Sequence, residues 1–448
     1  MAEGIFTQGV YAPVSQEREL TDLPVTGTLP PELDGLLIRN GPNPDPASAR
    51  AGGHEENGWF LGNGMLHGIR IRDGKAQWYR NRYVKTGFLT GQDPPPAHDS
   101  PANTHVIGYN GQILALCEGG WPYAVTPELE TIGMVGFNNQ LKGAMTAHPK
   151  LDPVTGEMVL FGYDWQEPYL RYHVADSAGE LKHSVDIDVK GPTMMHDFAT
   201  TTSRTLFLDL PVVFDLERAM QGVAIPYNWD DEYGARVGIL PRYGNSSDVR
   251  WFEIDPCYIF HVFNAYDEGD EVVLDASRYD KIWVYNKDTK QMLNPANSYL
   301  VRYRFNLATG TSSMTTLSDT GVEFPRVDLN RVGLEYRYGY GAVVPDDNLN
   351  TFSSIAKFDL QANTTEVFDT GADCVPGEPI FVGAAGQSAE DHGYLITVNY
   401  NKSNDRSDIL VIDAGSMSET IAKIELPFRI PMGFHGSWLP WETVGSAK

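Results

Sequence analysis

Cysteine is scarce in this 448-residue chain. Cys117, Cys257 and Cys374 form no C-x-x-C pair and leave an odd count, which argues against a disulfide framework and a thiolate metal site and fits free thiols in a reducing compartment. Long apolar runs are missing too. Nothing approaches the roughly 20 residues needed to cross a bilayer, and MAEGIFTQGVYAPV has no basic stretch ahead of an apolar one. The expectation is a soluble, cytoplasmic protein. Positive charge is in deficit, with 34 Lys and Arg against 59 Asp and Glu and a formal net charge of −25. A nucleic-acid partner needs the opposite sign, and adhesion to an anionic membrane by charge is disfavoured. There is no G-x-G-x-x-G fingerprint and no P-loop, so no nicotinamide, flavin or nucleotide is implied. Helical periodicity is confined to DLERAMQGV at 215–223.

What the chain does hold is a succession of short apolar or alternating runs. GLLIRNG, QILALCEGG, EMVLFGY, VRWFEIDP, EVVLDASRY, SYLVRYRFNL, YLITVNYN and DILVIDA are rich in β-branched and aromatic residues. Turn signals such as RDGK, YNGQ, DPVTGE and NLATGT punctuate them. This is an all-β pattern. Many strands with no helices between them fit a sandwich, a barrel or a propeller, and the length favours a propeller of about seven four-stranded blades, although no WD or kelch repeat is visible. No low-complexity linker divides the chain, so 1–448 reads as a single seven-bladed β-propeller domain. Residues 206–226 interrupt the strand pattern, and 206–242 are assigned to a loop and short-helix cap over one face. That cap would cover a tunnel mouth and dip into a membrane to collect an apolar substrate, or it is an ordinary packed crossover.

Four histidines stand in distinctive phrases: His148 in TAHPKLDP, His196 in MMHDFATT, His261 in YIFHVFNAYDE and His435 in IPMGFHGSW. Taken singly, a histidine in a strand-rich core is more often hydrogen-bonded than metal-bound. No one helix or loop can gather all four, so a fold that does so must wind around a single point, and that point would be a metal on the propeller axis. A divalent ion held by neutral imidazoles alone keeps its full positive charge, which suits O2 chemistry better than hydrolysis.

These phrases, with LDGLLIRNGPNP, WFLGNGMLHG, ANTHVIGYNGQILALCEGGWPY, EFPR and GEPIFV, carry a resemblance to the carotenoid cleavage oxygenase family along nearly the whole chain. The resemblance implies a non-haem Fe(II) held by His148, His196, His261 and His435. It further implies that Glu118, Glu323 and Glu378 accept hydrogen bonds from His196, His261 and His435 respectively, leaving His148 without a carboxylate. Thr104 matches a family threonine whose methyl group faces an open iron position; alone, it reads as an ordinary strand residue. The other seven histidines, His54, His67, His98, His105, His173, His183 and His392, match no ligand position and are expected to be structural.

The activity implied is oxidative cleavage of a C=C bond of a conjugated alkene by O2 into two carbonyl products, with an apolar tunnel selecting the bond. Phe60, Tyr83, Trp121 and Tyr123 are the expected lining, with Cys117 beside Glu118. Two branches of the family compete. One cleaves carotenoids or apocarotenoids. The other cleaves stilbenes and phenylpropenes, reading the phenol with a tyrosine, for which Tyr83 in RNRYV stands, and with a lysine directly before the first glutamate. Cys117 occupies that lysine position, and a thiol cannot replace an ammonium. Asn63 in LGNGM departs from the aspartate of many relatives. A propeller that only binds a polyene, or an isomerase or hydrolase on the same centre, stays open, because a scaffold does not fix its chemistry.

Overall fold

The computed structural model describes residues 8–44, 59–286, 291–293, 297–346, 351–386 and 389–445; His54 lies outside them. Among the described residues strands dominate, and the helices are short. Seven antiparallel sheets form the blades of a β-propeller. The hairpin turns follow from the local chemistry. Asp73-Gly74 and Asn110-Gly111 have φ of 52°, 67°, 48° and 70°, the paired positive values that a two-residue type I′ turn requires and that Asx-Gly tolerates.

The strands grade from buried to exposed across each blade. In the blade made by Tyr258–Glu268, Glu271–Tyr279, Ser298–Asn306 and Thr311–Ser318, the second strand, EVVLDASRY, is buried along nearly its whole length, while the last, TSSMTTLS, is largely exposed. Sequence composition therefore sets strand position: an apolar run can lie within the ring, a serine- and threonine-rich run only at its rim.

The ring is closed from both ends of the chain. Gly436–Pro440 pairs with Gly35–Pro42, joining the last part of the sequence to the first blade, and Val25–Gly27 pairs with Thr420–Glu425 in the last. Each sheet contributes one first strand to the centre. His105–Tyr109, Lys150–Leu151, Ala199–Thr200, Tyr258–Glu268, Val322–Arg326, Ile380–Gly383 and Gly436–Pro440 hold these positions. His261 and Glu323 lie on these strands and His148, His196, Glu378 and His435 in the segments leading into them, while Glu118 follows Gln112–Leu116, the second strand of its blade.

The segment 206–242 is less of an excursion than its sequence suggests. Arg204–Asp209 and Ala235–Pro241 pair with each other as strands of one blade, so the departure runs only through 210–234. It contains the hairpin Val212–Phe214 with Tyr227–Trp229 and the helix Leu216–Met220, capped by Asp215, whose side chain accepts from Arg218 N. The apolar run TLFLDL that prompted the longer boundary is a buried blade strand.

Blades are also stitched by buried charge. Asp275, fully buried, accepts two bonds from Arg302 at 2.8 Å within its own blade and one from Tyr336 of the next at 2.8 Å. Asp275→Ala would leave a half-buried guanidinium unpaired, and it should cost about 3–5 kcal/mol in denaturant unfolding. A loss below about 1 kcal/mol would show that the pair contributes little.

Candidate metal centre

Four ring nitrogens, one each from His148, His196, His261 and His435, lie within 4.8 Å of one another. The rings are buried or nearly so, and their centroids are 4.6 Å apart for His148 and His196, 4.6 Å for His148 and His435, and 4.8 Å for His261 and His435. Residues far apart in sequence thus meet at one point on the axis.

Three of the rings are aimed by carboxylates. His196 Nδ1 donates to Glu118 at 2.7 Å, His261 Nδ1 to Glu323 at 2.5 Å, and His435 Nδ1 to Glu378 at 2.8 Å. A carboxylate can only accept, so each of these rings carries its proton on Nδ1 and turns a bare Nε2 lone pair inward. The Nε2 atoms of His196 and His261 are 3.3 Å apart, and those of His148 and His196 are 3.0 Å apart. Two buried lone pairs facing each other repel, and a cation between them removes the conflict. The spacing also suits one. Metal–nitrogen bonds of about 2.0–2.1 Å at right angles put adjacent nitrogens about 3 Å apart. The donor set therefore fits a divalent ion of the imidazole-binding class.

The surrounding charge fits as well. Three carboxylates less the Arg326 guanidinium, which bonds Glu378 at 2.8 Å, leave a formal two negative charges against a divalent cation. Burial holds the His435 imidazole down to about 3 against the opposing pull of Glu378, and burial also keeps His148 well below the usual range. Burial opposes charge on His196 too, but Glu118 and Asp197 carry its affinity for a proton above the ordinary value. Glu378 feels burial in the opposite sense, yet Arg326 and His435 hold it below the usual carboxylate range.

Two different walls meet the imidazoles. On one side are rings: Phe260 lies 5.4 Å from His196, and Phe324 lies 5.6 Å from His261 and 4.9 Å from His435. Phe60 joins this wall, stacked on Phe434 at 5.6 Å and 6.1 Å from Trp283, which in turn meets Phe260 at 6.3 Å. Another series runs to the 210–234 excursion: Trp165 stacks on Phe214 at 5.3 Å, Phe214 meets Tyr227 at 5.5 Å, Tyr227 meets Tyr163 at 6.3 Å, and the Tyr163 hydroxyl donates to Glu118 at 2.8 Å. A cavity of about 430 Å³ reaches His148, His261 and His435; apolar residues such as Ile107, Val262, Val327 and Leu439 line it together with Lys150, Asp197, Asn264 and Arg326. None of Phe60, Phe260, Phe324 and Phe434 lines it.

The remaining expected residues are distributed unevenly. Thr104 is buried, and its carbonyl accepts from His435 N at 3.1 Å. Cys117 is half-buried with its thiol beside Thr104, and desolvation pushes the thiol above its ordinary value. The Tyr83 hydroxyl is engaged by Asn43 Nδ2 at 2.5 Å. Trp121 and Tyr123 have other partners. Trp121 stacks on His98 at 4.6 Å and donates to Gly143 O, while Tyr123 is packed in the core and donates to Asp99 at 2.5 Å. Tyr123 belongs to the third strand of its blade, Tyr123–Val125, away from the first-strand positions that reach the centre, so the lining reading does not hold for it. Asn63 is buried and its carbonyl accepts from Asn43 N. Sequence reasoning missed Trp59, Phe260, Trp283, Phe324 and Phe434, which only the closed ring assembles. Phe260 and Phe324 were the most legible, each being adjacent in sequence to His261 or Glu323. It also missed His105, whose ring lies 5.3 Å from His435 and 5.8 Å from His148.

A propeller whose axis carries four imidazoles, three of them seated on carboxylates, defines a class of metal-dependent enzyme, and comparison with known proteins identifies it. Residues 11–440 match the family described as Retinal pigment epithelial membrane protein. The "Carotenoid cleavage oxygenase" of Mycobacterium tuberculosis is 36% identical, with 97% of each chain covered. Among solved structures, the lignostilbene dioxygenase of Pseudomonas brassicacearum superposes with a TM-score of 0.89 at 29% identity, covering 97% of this chain and 98% of that one. A cobalt-substituted Synechocystis ACO superposes with a TM-score of 0.84 at 25% identity, covering 96% and 97%. The chain belongs to this carotenoid cleavage oxygenase family, and its enzymatic class is that of the alkene-cleaving dioxygenases.

A divalent ion that binds the four imidazoles in the folded state alone must stabilise the fold. Cobalt(II) held at 100 times its dissociation constant should add about 2.7 kcal/mol, read as a raised unfolding midpoint that a chelator reverses. An unchanged midpoint contradicts the fit argued here.

Proposed function

We propose that this protein is an Fe(II)-dependent dioxygenase that cleaves a C=C bond of a carotenoid or apocarotenoid, with His148, His196, His261 and His435 holding the metal. The observation that carries the proposal is the convergence of four imidazole nitrogens beside an aromatic wall. Iron(II), if held by these four histidines, would supply redox-active chemistry suited to O2. The balance needs no other reductant: one alkene and one O2 give two carbonyl compounds, each taking one oxygen atom, and the four electrons come from the broken C=C bond.

The chain's own residues then do three things. Glu118, Glu323 and Glu378 fix ring orientation and tautomer. Phe60, Phe260, Phe324 and Phe434 keep the reacting side dry and offer flat faces to an extended π-system. Thr104, tied to His435 through its carbonyl, limits what can approach the metal. An alkene has no proton to lose in this cleavage, so the site requires no general base.

Several features favour a long apolar polyene over a phenolic stilbene, despite the likeness to a lignostilbene dioxygenase. The neutral Cys117 thiol cannot pair with a phenolate as an ammonium would, and the Tyr83 hydroxyl already has Asn43 as a partner. The series from Trp165 through Phe214, Tyr227 and Tyr163 to Glu118 is an aromatic surface leading from the exterior to the centre, against which an apolar chain would lie. Its outer end carries exposed Trp165, Leu216 and Met220, so the 210–234 cap is the natural point of contact with a lipid-dissolved substrate.

Iron(II)-loaded protein incubated under ¹⁸O2 with β-carotene, an apocarotenal, resveratrol and isoeugenol tests the reading. Mass spectrometry should find labelled aldehydes from a carotenoid substrate, at one O2 consumed per bond, and none from the His261→Ala variant. Bleaching of the polyene without carbonyl products would refute cleavage, and turnover confined to the two phenolic alkenes would refute the substrate class.

A further inference from the structure

His148 is the exception in the ring of imidazoles, because among the described residues no carboxylate hydrogen-bonds to it. The segment that carries it is nevertheless pinned on both flanks. On one side the His105 ring donates from Nδ1 to the carbonyl of Ala147, the residue before His148, at 2.8 Å. On the other side Lys150, two residues after His148, gives its ammonium to Asp197 Oδ1 at 2.6 Å.

Both anchors reach the other imidazoles as well. A carbonyl can only accept, so the His105 proton is on Nδ1, and Nε2 is free to accept from Arg326 Nη2 at 3.4 Å. The same Arg326 nitrogen donates to Glu378 at 2.8 Å and to Gly436 O at 2.5 Å, and Glu378 holds His435. Asp197, almost fully buried, follows His196 directly. Its Oδ2 accepts from the backbone of Val262, the residue after His261, at 2.9 Å, and its Oδ1 also accepts from Phe198 N at 2.8 Å.

We propose that His105 and Asp197 are positioning residues that replace the missing fourth carboxylate, fixing His148 by clamping its chain on either side and locking it in register with the other three imidazoles. This rests on the reading of the four histidines as metal ligands. The carboxylates elsewhere act on the ring itself. Here the constraint acts on the backbone that carries the ring, so neither residue touches metal or substrate.

The clamp has a readout independent of catalysis. Cobalt(II) affinity is measured by chelator competition well below the unfolding transition, so that a change in global stability does not enter, together with the visible spectrum of the bound ion. His105→Ala and Asp197→Asn should each weaken cobalt(II) binding about 10- to 100-fold and shift the visible bands. Asn at 197 has one acceptor oxygen where Asp has two, so it cannot serve Lys150, Val262 and Phe198 together. His105→Asn retains an N–H donor for Ala147 O and should recover most of the lost affinity. Wild-type affinity and spectrum in both His105→Ala and Asp197→Asn would overturn this inference and leave the metal reading intact. A wild-type protein that binds no cobalt(II) would overturn both.

Discussion

Everything at the centre of this protein depends on one electrostatic constraint: imidazole lone pairs buried face to face need a cation to make their closeness favourable. Without one, the His196 and His261 Nε2 atoms at 3.3 Å are a repulsive arrangement held by force of the fold. With one, the same spacing becomes a coordination sphere. The three carboxylates set the direction of each ring by taking the Nδ1 proton, and together with Arg326 they supply the countercharge a divalent ion requires in a low-dielectric interior.

The propeller meets this constraint by geometry rather than by local sequence. Seven sheets each send a first strand to the axis, so seven separate stretches of chain contribute to one point, and pairing of Gly35–Pro42 with Gly436–Pro440 prevents the ring from opening. The result is a centre with two unlike flanks. On one, Phe260 and Phe324 pack against the imidazoles, with Phe60 and Phe434 behind them. On the other, a cavity of mixed lining reaches the rings, and Lys150, Asp197 and Arg326 beside it hold the supporting charges.

The fold class and the composition of the imidazole cluster were legible because they are written locally: alternating apolar runs, Asx-Gly turns, and histidines embedded in recognisable phrases. Glu118 and Glu378 were legible for the same reason, each sitting at the edge of an apolar run, while Glu323 was legible only through the EFPR phrase. The limits came where position depends on the closed ring. Tyr123 shares an aromatic-rich phrase with Glu118 yet belongs to the third strand of its blade, so five residues of separation carry it into the core. The cap boundary failed because Leu206 and its neighbours are apolar in a buried blade strand as they would be in a lid. His105 looked like an ordinary strand histidine. Its significance lies in a contact with Ala147 from the neighbouring blade, which no periodicity reveals.

X-ray absorption at the iron edge of the iron(II)-loaded protein is the most direct test of the central claim. The account predicts a nitrogen-dominated inner shell with the multiple-scattering signature of four imidazoles and no protein carboxylate bound to the metal. An oxygen-dominated shell, or fewer than three imidazoles, would contradict it.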